Sequence, residues 1–177
     1  MPSTHCRRRA SLLFALLVLP WSAIHAQQQR GPRFGASAGL TIPLSDLSRD
    51  TQSGYRLDGF VIGAPYAWPV ALRGDLSYSS FSGAARRPAQ NFVGLSASAV
   101  YSVSAAGDSP YAIGGLGVYH ESAYGGVRSE SDLGINFGGG YRWTLHGRSY
   151  FVEMRYVFIG HSGPSRQMMP LMFGVTF

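Results

Sequence analysis

The chain has 177 residues, 45% of them hydrophobic, with 15 basic and nine acidic side chains, which is enough for one domain. Beyond Arg86-Arg87 there is no basic block outside the first ten positions, so nucleic acid is excluded as an expected partner. The one cysteine, Cys6, leaves no disulfide framework and no cysteine metal site.

Arg7, Arg8 and Arg9 precede the apolar run Leu12 to Leu19, Pro20 breaks that run, and Ile24-His25-Ala26 leads into Gln27. This is the charged, apolar and small-residue layout of a secretory signal. The run is far short of the ~20 residues of a membrane-spanning helix. Cleavage is expected between Ala26 and Gln27, giving residues 1–26 as signal and 27–177 as the mature domain. Processing would remove Cys6 and three arginines, leaving 12 basic residues against nine acidic ones.

The mature chain shows no sustained helical period, and its glycines and aromatics suit a β-rich, tightly turning chain. Eight strands are expected. In the first, about 34–42, Phe34, Ala36, Ala38, Leu40 and Ile42 share one face and Gly35, Ser37, Gly39 and Thr41 the other. The second, about 55–63, is less regular, with Leu57 and Val61 opposite Arg56 and Asp58. The third, about 70–79, sets Val70, Leu72, Leu76 and Tyr78 against Arg73, Asp75, Ser77 and Ser79. The fourth, about 92–103, sets Val93, Leu95, Ala97, Ala99, Tyr101 and Val103 against Gly94, Ser96 and Ser98.

In the fifth, about 110–120, Tyr111 and Ile113 hold one phase while Leu116 and Val118 hold the other, which predicts a bulge near Gly114-Gly115. The sixth, about 133–143, places Leu133, Ile135, Phe137, Tyr141 and Trp143 opposite Asn136, Gly138, Gly140 and Arg142. The seventh, about 150–158, places Val152, Met154, Tyr156 and Phe158 opposite Glu153 and Arg155. The last, about 168–177, puts Leu171, Phe173, Val175 and Phe177 on one face. An apolar strand that ends on an aromatic is unusual for a domain in water, where termini fray, and suits the closing strand of a barrel in lipid.

The connections after strands one, three, five and seven look longer or more polar than those after two, four and six. That is the expected pattern of an outer-membrane barrel with both termini inside. Tyr66, Trp68, Tyr101, Tyr111, Tyr141, Trp143, Phe173 and Phe177 cluster near strand ends, and most are expected in an aromatic girdle at the headgroup level. The fold class is therefore all-β, an eight-stranded antiparallel up-and-down transmembrane β-barrel. In hydrocarbon every ladder must close, so the polar faces point inward. Arg73, Asp75, Arg142, Glu153 and Arg155 are expected to form a charge network in the lumen, with Arg56 and Asp58 beside it. An unpaired buried charge is expensive, and an eight-stranded barrel is just wide enough for its own side chains. A polar plug is the first reading, and a narrow conduit is the alternative.

The strand from Phe34 to Ile42, the segments Pro110 to Gly117 and Phe151 to Tyr156, and the terminal Pro170 to Phe177 together resemble the small outer-membrane β-barrel family of OmpA-like domains, OmpX and opacity proteins. The resemblance covers the mature chain. It implies residence in the cell outer membrane, with the lipid bilayer as partner and lipopolysaccharide as a possible one. It also implies recognition by the barrel-insertion machinery through Leu171, Phe173, Val175 and Phe177. It implies no cofactor and no particular activity.

Chemistry is sparse. His120-Glu121-Ser122 and His161-Ser162 carry the residue types of a serine hydrolase near strand ends. A lipid A deacylase pattern of His, one spacer, Ser and Asn is matched by His120 and Ser122, but Ala123 stands where the Asn belongs. The histidines are scattered, which argues against a metal site, and Gly138-Gly139-Gly140 has no following helix to make a phosphate loop. Arg86, Arg87, Arg128 and Arg166 are candidates for contact with lipopolysaccharide phosphates. The expected role is structural or surface-interacting, without catalysis.

Overall fold

The computed structural model describes residues 31–64, 70–83, 89–104, 108–123, 129–160 and 166–177. Eight antiparallel strands close on themselves in chain order. They are β1 (Arg33–Ser45), β2 (Thr51–Gly63), β3 (Val70–Gly83), β4 (Gln90–Ser102), β5 (Ser109–Ala123), β6 (Ser129–Leu145), β7 (Arg148–Ile159) and β8 (Arg166–Thr176). A four-residue helix, α1 (Leu47–Asp50), joins β1 to β2. β8 closes the wall by pairing with β1, and Phe177 donates its backbone N–H to the Phe34 carbonyl at 2.7 Å. The closed ladder leaves no strand edge unpaired, as hydrocarbon demands.

Side-chain alternation sorts the wall as the period of two requires. Leu40, Leu72, Leu95, Leu116, Leu133 and Phe173 point outward and are each more than half exposed. Ser37, Thr41, Arg56, Asp58, Arg73, Asp75, Ser96, Ser98, Glu153 and Arg155 point inward and are buried. This is the reverse of a domain in water, where exposed groups are polar and the core apolar. The second strand, irregular in sequence, alternates cleanly: Leu57, Gly59 and Val61 face out, while Arg56, Asp58 and Phe60 face in.

Two expectations are corrected. The fifth strand has no bulge, for its register runs unbroken with β4 from Tyr111 to Ala123 and with β6 from Ser109 to Ser122. The change of phase arises because Ile113 and Tyr111 are inward-facing apolar side chains, while Leu116 and Val118 face out. The loops also differ little in length between the two ends. Connections 46–50, 84–89, 124–128 and 160–165 at one end compare with 64–69, 103–108 and 146–147 at the other, which also holds the termini. Polar residues at the ends of the connections, such as Glu121 and Ser122 with Ser129 and Glu130, continue the β5–β6 ladder. The apolar alternation stops before the backbone pairing does.

His146 and Gly147 make the two-residue turn between β6 and β7, both at positive φ (51° and 75°), the backbone that matches hairpin twist. At this terminal end Trp143, Tyr150 and Phe173 form an outward aromatic cluster, with ring centroids 5.9–6.3 Å apart. Tyr101, Tyr141 and Phe177 are exposed at the same level. Tyr111 is not in this girdle, because its ring lies inside the barrel. Tyr66 and Trp68 lie outside the described residues.

Candidate functional site: the filled lumen

The interior is built in tiers. At its charged tier, β3 contributes Arg73 and Asp75, and β7 contributes Glu153 and Arg155. Within β3, Arg73 Nε donates to Asp75 Oδ1 at 2.7 Å, and within β7, Arg155 Nε donates to Glu153 Oε1 at 2.6 Å. Across the lumen, Arg73 Nη1 reaches Glu153 Oε2 at 3.2 Å, and Arg155 Nη2 reaches Asp75 Oδ1 at 3.2 Å. The four groups form a ring of alternating sign with no net charge, and every member is buried. Tyr111 adds a bond from its hydroxyl to Glu153 Oε2 at 2.7 Å. Charge-assisted bonds of this kind are short and strong, which offsets the cost of desolvating four ions.

The order of charges along each strand makes the ring possible. Odd-numbered strands of an up-and-down barrel run the same way, so β3 and β7 are parallel to each other on opposite walls. β3 reads Arg-Gly-Asp and β7 reads Glu-Met-Arg. Each acid therefore faces a base across the lumen.

Aromatic rings extend the tier toward the terminal end. The Arg73 guanidinium sits 3.7 Å from the Phe60 ring centroid and 5.4 Å from that of Phe151, a cation–π pairing shielded from water. On β2, Arg56 Nε donates to Asp58 Oδ1 at 2.9 Å, a second buried neutral pair. Arg142, expected with the network, does not join it. Its register partners are Ser109 and Phe151, two residues nearer the terminal mouth than Gly140, which pairs with Glu153. There its Nη2 donates to the Ser104 carbonyl at 3.3 Å.

Toward the other end the lumen becomes apolar. Leu47, Phe81, Phe92, Tyr119, Val157, Ile159 and Met168 form a buried cluster. Leu47 belongs to α1, which folds over the mouth and inserts this side chain completely (0% exposed). Glycines make space for the large rings. A Cβ on Gly94, Gly117 or Gly134 would press on the Tyr119 ring, and one on Gly140 would lie 2.6 Å from Tyr111. Neither Leu47 nor this plug was foreseen in the sequence, where Leu47 lies in a segment that reads as loop.

The residue types singled out for hydrolysis are distributed differently. His120 and Ser122 lie on the outward side of β5, two residues apart. His120 Nδ1 lies 2.9 Å from Ser131 Oγ, on the β6 residue opposite it. Glu121 points the other way and pairs with Arg166 at 3.1 Å. His161, Ser162, Arg86, Arg87 and Arg128 lie outside the described residues. Among the described residues no three metal-ligating side chains converge, and no helix is long and apolar enough to cross a membrane. The terminal residues Leu171 and Phe173 face outward from β8, Val175 shares that face, and Phe177 follows the strand, exposed.

No protein-family model matches the chain. No curated protein sequence matches it either. Solved structures do. Neisserial surface protein A superposes with a TM-score of 0.67 at 19% identity, over 85% of this chain and 98% of that one. The outer membrane enzyme PagL gives 0.58 at 13% identity, over 83% and 99%. The N-terminal β-barrel domain of Pseudomonas aeruginosa OprF gives 0.52 at 15% identity, over 85% and 100%. Identities this low speak to fold alone, and the fold agrees with an apolar outer wall around a charged, filled interior. The chain shares with these outer-membrane proteins the fold of a small, closed eight-stranded antiparallel barrel.

Proposed function

We propose that the protein is exported through a cleaved signal and resides in the outer membrane as a closed, non-conducting and non-enzymatic barrel. Its work is structural or surface-interacting, carried by the end opposite the termini. The observation that carries this reading is the double seal of the lumen: the Arg73–Asp75–Arg155–Glu153 ring spans it at one level, and Leu47, Phe81, Phe92 and Met168 fill it at another. A solute would have to break a neutral ring of buried ion pairs and displace an apolar plug.

The absence of catalysis is supported by the separation of residue types. A hydrolase needs a carboxylate to orient its base, and the carboxylate of the His120-Glu121-Ser122 segment, Glu121, lies on the opposite face of β5 and pairs with Arg166. Lipopolysaccharide and the barrel-insertion machinery are the proposed contacts, the first at the loop end and the second through the terminal strand.

Planar-bilayer recording tests the reading. The refolded protein is expected to add no conductance above the bare membrane, and steady single-channel steps would sink it. Incubation with lipid A followed by mass spectrometry is expected to leave every acyl chain in place. N-terminal sequencing of the membrane-extracted protein is expected to begin at Gln27.

A further inference from the structure

Between the ion-pair ring and the terminal mouth lies a small chamber that neither seal of the lumen uses. All eight strands contribute to its lining, from Arg33 on β1 to Thr176 on β8, so it sits on the barrel axis. Its floor is the pair of Phe60 and Phe151 rings, packed edge to face at 5.6 Å, with the Arg73 guanidinium against Phe60. The ring closes it on that side, and it opens only toward the terminal end.

The charge of this chamber is one-sided. Arg33, Arg73 and Arg142 line it, and no carboxylate does. Arg73 is matched within the neutral ring by Asp75 and Glu153, so its charge is already met. Arg142 has no such match. Its one bond to the described residues runs from Nη2 to the Ser104 carbonyl, a neutral acceptor, although a guanidinium carries five N–H donors. The Ser149 hydroxyl lines the same chamber, is buried, and meets no hydrogen-bond partner among the described residues. A buried hydroxyl left in that state is costly. A cationic fork and an unused hydroxyl therefore converge on one enclosed space, and an anion satisfies both.

Size selects the anion. The chamber encloses about 30 Å³, while one water-sized group needs at least ~10–15 Å³ measured in the same way. Two oxygens fit and four do not. A carboxylate presents two oxygens in a plane, the shape that a guanidinium fork grips with two parallel bonds. A tetrahedral phosphate is too large to enter whole.

We propose that the terminal vestibule is a carboxylate-binding site, held by Arg142 and the Ser149 hydroxyl with Arg33 on the opposite wall. The side from which the ligand arrives rests on the outer-membrane reading above. Binding in micelles does not depend on it, so the two fail separately. The refolded, ¹⁵N-labelled protein in zwitterionic detergent would be titrated with sodium acetate against sodium chloride of equal ionic strength. Acetate is expected to move the amide signals of Ser102, Arg142 and Ser149 to a plateau. Arg142→Gln is expected to weaken that binding about tenfold or more, and Ser149→Ala about two- to fivefold. Arg148→Gln, which removes an exposed charge stacked on Phe177 outside the chamber, is expected to leave it unchanged. Heat-modifiable mobility on gels reports folding. If Arg142→Gln does not fold, Arg142→Lys keeps the charge, loses the fork and is still expected to bind more weakly. N-acetyl-glycylglycine and its C-terminal amide separate the sources. Binding of the acid alone assigns the site to a peptide terminus, and binding of acetate alone assigns it to a free small carboxylate. Shifts that never saturate would overturn the proposal. So would equal affinity in the Arg142 variant, or inorganic phosphate binding more tightly than acetate.

Discussion

Arg73 on β3 and Glu153 on β7 meet at 3.2 Å although their strands stand on opposite walls of the barrel. With Asp75 and Arg155 they tie the two walls together through the lumen. Deleting one carboxylate leaves two guanidiniums and the Tyr111 hydroxyl without their shared acceptor. Glu153→Ala is expected to lower unfolding free energy by about 3–5 kcal/mol, read from urea titration of the refolded barrel. Unchanged stability would mean that water, and not the opposite wall, satisfies these charges.

The glycines beneath Tyr119 give a test of interior packing. A Cβ on Gly94 would meet the Tyr119 ring at 2.7 Å and Ser77 Oγ at 2.6 Å. Gly94→Ala is expected to cost about 1–3 kcal/mol through overpacking. Adding Tyr119→Leu is expected to recover part of that loss, since the ring supplies two of the three close contacts. Gly59→Ala faces open space on the outer wall and is expected to be neutral or stabilising by up to about 1 kcal/mol. Additive effects in the Gly94–Tyr119 pair would contradict the packing described.

Parity of the wall predicts opposite outcomes at neighbouring positions. Leu95, mid-strand on β4, is 65% exposed, and Ser96 beside it is buried. Leu95→Arg is expected to destabilise the protein in bilayers by about 2–4 kcal/mol. Ser96→Ala keeps the lumen filled and is expected to change little. The comparison is made by unfolding from lipid vesicles, and tolerance of Leu95→Arg would mean that this face does not meet hydrocarbon.

The terminal aromatic separates assembly from stability. Phe177 is 63% exposed and its backbone N–H bonds to Phe34. Removing the side chain by Phe177→Ala is expected to slow appearance of the heat-modifiable form in cells several-fold. Urea stability of the folded fraction should change by no more than about 0.5 kcal/mol, as at other exposed positions. A large fall in stability with normal assembly would assign Phe177 to the wall itself.

Much of the barrel was legible beforehand because strand faces alternate locally. The inward groups Arg73, Asp75, Glu153 and Arg155, and the outward Leu171 and Phe173, follow from counting by two along the chain. Counting misled at β5, where Tyr111 and Ile113 are apolar yet face inward. Binary pattern equates apolar with lipid-facing, while a lumen filled by aromatic rings violates that equation. Strand ends also escape the pattern, because residues past the apolar belt, such as Glu121 and Ser131, can be polar and still pair.

The amino-acid sequence alone determined that most strands, β5 excepted, have one face fit for hydrocarbon and one fit for a polar interior, since that depends only on the period of the extended backbone. Tertiary structure decided which inward groups touch. Closure of eight strands brings β3 against β7, drops Leu47 into the mouth and leaves Arg142 outside the ring. Those outcomes depend on register and on the width of the closed wall, properties that belong to all eight strands together and to no single segment.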